Sequence, residues 1–223
     1  MRSLKRVIEV TIGITFAASL AEAQPNPATN NLSSSQAVLT GLQPTGIWSG
    51  DVGGGFRPGV QNLDLEAGGG ACLALFGSHL NRDLSLFDLS YGRTWGGPVG
   101  SGHWYHGNWE VRGELFGGVQ FNPAGNWLVG LTPHLRYDFA TGTRWVPFVD
   151  AGAGVTATGI RRPDLGGTFE FNEQVNFGVD WFVRDDIALT FEVGGMHVSS
   201  AGIYQPNSGL NCVKGMAGIS WFF

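Results

Sequence analysis

The sequence predicts an all-β protein, an antiparallel eight-stranded transmembrane β-barrel of the outer membrane, on three observations. Period-two segments follow one another from Leu63 to the C-terminus, each apolar on one face. The opposite face of those segments is charged or polar on strand after strand, as a barrel interior requires. Aromatic residues crowd the segment ends, at Trp127, Phe139, Trp145 and Trp181, where a membrane strand meets the interface. Clean alternation alone also fits a soluble sandwich, whose apolar face packs on a second sheet. The aromatic ends and the charged inner faces decide for the membrane.

The composition agrees, with 36 Gly, 8 Trp and 15 Phe against 14% charged residues, a mixture suited to a twisted sheet with aromatic belts. The first 23 residues read as a secretory signal: Arg2, Lys5 and Arg6, an apolar run from Val7 to Leu20, then Ala21-Glu22-Ala23 in the small-x-small form of a cleavage site. Gln24 is then the first mature residue. That cleavage removes three basic and two acidic residues and takes the formal charge from -5 to -6, which argues against a nucleic-acid partner. Residues 24–62 are expected to be a polar periplasmic leader ending in a pre-strand, Gly46 to Phe56, where Trp48, Val52 and Phe56 alternate with polar neighbours. The barrel itself occupies 63–223.

Its strands are expected at Leu63 to Phe76, Leu84 to Trp95, Asn108 to Phe121, Trp127 to Phe139, Thr143 to Thr158, Thr168 to Phe182, Ile187 to Ser199 and Cys212 to Phe223. Asn108 to Phe121 is the clearest, with Trp109, Val111, Leu115, Val119 and Phe121 alternating with Glu110, Arg112, Glu114 and Gln120. The last segment closes on Trp221-Phe222-Phe223, and a terminal Phe on an amphipathic strand fits a barrel end. His134 and Arg136 face inward and read as a polar plug. With both termini periplasmic, the seventh strand rises outward and reaches His197 and Ser199 at its outer end. Cys72 and Cys212 share inward parity on the first and last strands. A bridge and two buried free thiols both fit that placement.

His197 and Ser199 are two residues apart, so both leave the same face of their strand, the apolar face of Leu189, Phe191 and Val193. A Ser beside a His supplies a nucleophile and its base. The loop from Ser200 to Leu210 returns Asn211 beside them with the same outward parity, a triad-like layout. If the turn at Arg184-Asp185-Asp186 pairs Phe182 with Ile187 or Ala188, Glu173 falls nearly opposite His197 as the lone carboxylate on the apolar face of its strand. Glu173 is therefore a candidate acid that orients or charges His197. No metal or other cofactor is expected: His103-Trp-Tyr-His106 lies in a Gly-rich connection without further ligands, Gly152-Ala-Gly154 precedes no helix, and no Gly-x-Ser-x-Gly elbow is present.

The stretch H-V-S-S-A-G-I-Y-Q-P-N-S-G-L-N from His197 to Asn211, with the strands from Asn108 onward, resembles the outer-membrane lipid A 3-O-deacylase (PagL) family. That family carries a His-x-Ser-Asn-Ala-Gly motif, a Pro-Asn loop and a third triad member on the last strand. The resemblance implies a hydrolase that removes the ester-linked 3-hydroxyacyl chain at position 3 of lipid A in the outer leaflet, with Ser199 as nucleophile and His197 as base. Its oxyanion position after the serine is Ser200 here instead of Asn, and Gly202 is the backbone donor for the oxyanion, with Asn207 bracing the loop. The third-member position, a Glu in the best-understood members, is Asn211. These two departures support an alternative, a non-catalytic structural or adhesive barrel in which the dyad is a remnant. The sequence is also compatible with a homodimer.

Overall fold

In the computed structural model, residues 46–223 are described; the expected signal segment 1–23 and the leader residues 24–45 lie outside them. Eight antiparallel strands run β1 (Gln61–Leu73), β2 (Arg82–Val99), β3 (Gly107–Asn122), β4 (Ala124–Phe139), β5 (Trp145–Thr158), β6 (Phe169–Phe182), β7 (Ile187–Ser199) and β8 (Leu210–Phe222). Each pairs with its neighbour in sequence, and β1 pairs with β8, so the sheet closes into a barrel with no free edge. The expected strands are all present; β7 has the expected ends, and each of the others differs at one end or both. β1 stops at Leu73 instead of Phe76 because Leu75 N–H turns back to the Leu73 carbonyl and Ser78 N–H to the Leu75 carbonyl. β8 starts two residues early, at Leu210.

Alternation sorts the side chains as the sequence pattern requires. Leu65, Phe87, Leu131, Phe177 and Val193 stand exposed on the outer wall, while Asp64, Glu110, Arg112, His134, Arg136 and Lys214 are buried inside. An eight-stranded barrel has an interior just wide enough for its own side chains. Here they are layered. His134 bonds Asp150 (3.0 Å) and Glu114 (3.2 Å), and Lys214 bonds Glu192 (3.0 Å), giving the charged middle its partners. Arg136, 0% exposed, pairs with Asp138 and Asp180 and lies 3.5 Å from the Phe148 ring centroid. Phe148 in turn fills the space left by Gly178, where an added Cβ would come within 2.2 Å of the ring.

Two apolar plugs close this charged layer. At the end carrying the barrel's first and last residues, Trp48 and Phe56 insert among Val146, Phe182, Ala188 and Phe222, their rings stacked, tilted or edge-on at centroid distances of 4.7–6.0 Å. The segment expected as a pre-strand is thus a plug: only the bridge Trp48 to Phe56 is sheet-like, and Asn108 accepts from Phe56 N–H at 2.7 Å to anchor it. At the other end, Ile160 and Leu165 of the β5–β6 loop pack on Leu84, Leu86, Phe116, Leu128 and Val198.

Cys72 and Cys212 form a disulfide across the β1–β8 seam, at register partners one position from Asn211. The bridge closes a loop of 140 residues, so it removes much of the freedom of the unfolded chain. Replacing both cysteines by serine is expected to cost about 2–4 kcal/mol and to lower the temperature at which the heat-dependent gel mobility shift is lost; an unchanged shift would mean that the seam holds without it.

Candidate functional site

The register brings the predicted site residues onto three adjacent strands. His197 of β7 faces Glu173 on β6 and Asn211 on β8, and Ser199 faces Phe171. Phe182 pairs with Ala188, the pairing that the β6–β7 turn implied. The side chains of these four candidates, His197, Glu173, Asn211 and Ser199, point outward, at the end of the barrel away from its first and last residues.

Asn211 decides how the imidazole stands. Its side chain bonds the Leu75 carbonyl at 2.8 Å, and because a carbonyl only accepts, the atom presented there is Nδ2. Oδ1 is then the atom 2.8 Å from His197 Nδ1, so Nδ1 carries the hydrogen and donates. In the neutral ring Nε2 is left as the acceptor. The Cε1–Nε2 edge of the ring lies over Gly209, where a Cβ would fall 2.6 Å from Cε1 and 3.3 Å from Nε2. Val198 pairs with Leu210, so Gly209 stands level with Ser199. That edge of the ring is therefore turned toward the level of Gly209 and Ser199. Ser199 and His197 share a face without a hydrogen bond between them, a looseness common before substrate arrives.

Glu173 stands beside His197 but makes no hydrogen bond to it among the described residues. Of the two roles expected of Glu173, orienting or charging His197, the hydrogen bond that would orient the ring at Nδ1 is made by Asn211, and the carboxylate flanks the ring from β6. Ser200 is also reassigned. It is buried, its N–H donates to Asn207 Oδ1 at 2.8 Å, and its hydroxyl lies 3.0 Å from the same oxygen and 3.1 Å from Tyr204 N. These bonds commit Ser200 to bracing the loop, with Asn207 as the brace the sequence suggested. The chain then turns through Ala201 (φ 51°) and Gly202 (φ 86°), closed by Ile203 N–H to the Ser200 carbonyl at 3.1 Å, a type I′ turn. Among the described residues the amides of Ala201 and Gly202 donate to no protein acceptor.

Sequence reasoning missed the loops that frame this site. Asp164, fully buried, accepts from His79 N–H (2.6 Å) and Arg82 Nη2 (2.9 Å), and its carbonyl accepts from Ser208 N–H (2.9 Å). One residue thus joins the β1–β2, β5–β6 and β7–β8 connections. Leu75 lies 136 residues from Asn211, so no local motif reveals their contact. Gly209, in the Pro-Asn-Ser-Gly run, is the one such residue the motif could have indicated. The site opens on a groove of about 400 Å³ walled by Val175 on one side and Leu73, Leu75 and Phe76 on the other, with Gly195 and Val213 between. Phe76 and Ala201 are the two non-glycine residues with positive φ among the described residues, and both lie in loops bordering the site.

A family model described as lipid A 3-O-deacylase (PagL) matches residues 85–220. The lipid A deacylase PagL of Pseudomonas aeruginosa is 30% identical over 133 residues, 57% of this chain and 66% of the relative, so the match spans just under two thirds of that protein. The crystal structure of the outer membrane enzyme PagL superposes with a TM-score of 0.52 at 21% identity, over 70% of this chain and 97% of that one. Neisserial surface protein A gives 0.54 at 15% identity, over 74% and 99%. At those identities the superpositions carry the barrel fold alone.

Gly209→Ala is expected to push the ring off Asn211, because the added methyl meets Cε1 and the backbone is at φ +75°. The His197 ring resonances should shift in NMR spectra of the detergent-solubilised protein while the barrel keeps its folded gel mobility; unshifted resonances would contradict the packing described.

Proposed function

The chain belongs to the lipid A 3-O-deacylase (PagL) family, and from that premise we propose that it is an outer-membrane esterase that removes the 3-hydroxyacyl chain ester-linked at position 3 of lipid A. The observation that carries this reading is the polarity of the His197 to Asn211 bond, which leaves Nε2 free as a base on a ring that lines an apolar, outward-facing groove and has Ser199 two residues along the same face. With both termini periplasmic, the site end faces the outer leaflet, where the substrate's acyl chains already lie. An ester at the leaflet surface reaches Ser199 without its chain entering water.

In the first half-reaction Ser199 Oγ attacks the ester carbonyl as its proton passes to His197 Nε2. The carbonyl oxygen takes up the negative charge, and the Gly202 N–H is the donor we assign to it. The intermediate collapses, the sugar oxygen leaves with the proton from Nε2, and the acyl group stays on Ser199. Water then repeats the steps and releases the 3-hydroxy fatty acid. Asn211 holds the tautomer throughout but brings no charge to the imidazolium. Glu173, opposite Asn211 across His197, is the carboxylate placed to supply one through space.

Lipid A incubated with the purified protein in detergent should lose one hydroxyacyl mass, and Ser199→Ala should leave it intact; no loss from several lipid A types by folded protein would favour the non-catalytic barrel. Glu173→Gln is expected to lower kcat by no more than about fivefold, the scale of an exposed charge pair. His197→Ala should lower it by on the order of a thousandfold or more. A Glu173→Gln loss as deep as that of His197→Ala would restore Glu173 as the principal acid.

A further inference from the structure

The hydrogen bonds around Asn211 continue past Leu75. The second hydrogen of its amide points to Ser78 Oγ, 3.0 Å away, and the Ser78 hydroxyl donates onward to the Gly209 carbonyl at 2.5 Å. These directions are forced, because the Gly209 carbonyl can only accept and both Asn211 amide hydrogens are then in use. Ser78 Oγ therefore touches the two residues that hold the imidazole, the amide at Nδ1 and the glycine under the Cε1–Nε2 edge. Ser78 is buried, and the next residue, His79, is clamped by Asp164 through its N–H (2.6 Å) and Nδ1 (3.1 Å).

We propose that Ser78 is a positioning residue of the hydrolytic site, joining Asn211 and Gly209 through one hydroxyl so that His197 is held with Nδ1 protonated and Nε2 free toward Ser199. The inference rests on the hydrolase reading above for its consequence, not for its geometry. It also accounts for an amide at position 211. A carboxylate there would turn one oxygen to the Leu75 carbonyl, now 2.8 Å from Nδ2, and two acceptors would face each other. Ser78 could donate to that oxygen only by giving up Gly209, and the Leu75 carbonyl would still face it. In this chain the β1–β2 loop is built for an amide, so the residue that would add charge to a triad is the wrong one for this site.

The test uses the full mature chain in detergent micelles. Ser78→Val and Ser78→Thr have nearly the same shape and differ in the hydroxyl; Asn211→Asp is the third variant. Turnover of lipid A gives kcat and KM, and ¹⁵N-histidine labelling gives the ring tautomer well above the imidazole titration range, with His197 identified among the 5 histidines by its loss in His197→Gln. Ser78→Val should lower kcat by on the order of 10- to 100-fold with little change in KM, and its His197 signal should move away from the Nδ1-protonated form. Ser78→Thr should keep both near wild type, and Asn211→Asp should fall below wild type. A wild-type kcat and tautomer in Ser78→Val overturns the proposal, as does an Asn211→Asp enzyme at or above the wild-type rate, which also decides the matter if Ser78→Val does not fold. If the wild type proves to have no deacylase activity, the tautomer signal of Ser78→Val still tests the positioning role, so the two failures are separable.

Discussion

Everything in this molecule follows from the closure of β1 on β8. A strand in the bilayer has no water to satisfy its backbone, so the sheet must end where it began. Closure at eight strands fixes an interior that side chains must fill, and it divides every strand into an outward apolar row and an inward polar row. Against that division His197, Ser199, Asn211 and Glu173 are exceptions: polar groups in the outward rows of β6, β7 and β8, gathered at one level. The disulfide staples the seam one residue from Asn211, so the same contact that closes the barrel also steadies the site.

The site is held from its loops as much as from its strands. Asp164 gathers three connections, the Ser200 to Asn207 brace shapes the turn after Ser199, and the β1–β2 loop sets which atom of Asn211 faces the histidine. Replacing a triad carboxylate by an amide removes charge but keeps orientation, since the carbonyl oxygen of the amide accepts the Nδ1 hydrogen as a carboxylate would. Ala201, with its left-handed backbone, lies just past this brace, at the one point where the chain must turn sharply to leave two amides free.

Much of this was legible in the sequence because a barrel writes its fold as parity. Alternation located all eight strands, and counting back from the short β6–β7 turn put Glu173 opposite His197, where it stands. Parity also put the two cysteines inward on neighbouring strands, without deciding that they bond. What parity cannot express is contact between loops. Ser78 and Leu75 reach Asn211 across more than 130 residues, and no periodicity carries that contact. Nor does parity show which hydrogen bonds form: Asn211 holds His197 Nδ1, which leaves Glu173 the charging half of the role offered for it, and Asn207 holds the Ser200 N–H. Nor does alternation reveal that Trp48 and Phe56 turn inward to plug the barrel, since a segment of this length reads equally as a strand.

The proposed hydrolysis requires Ser199 to be a nucleophile that His197 activates. The most direct measurement is the intact mass and peptide map of the folded protein after reaction with a long-chain alkyl phosphonate ester, which mimics the tetrahedral intermediate and stays on the attacking oxygen. An activated Ser199 gives a single adduct on that residue, which His197→Ala abolishes. An adduct on another residue, or none on folded wild-type protein, would contradict it.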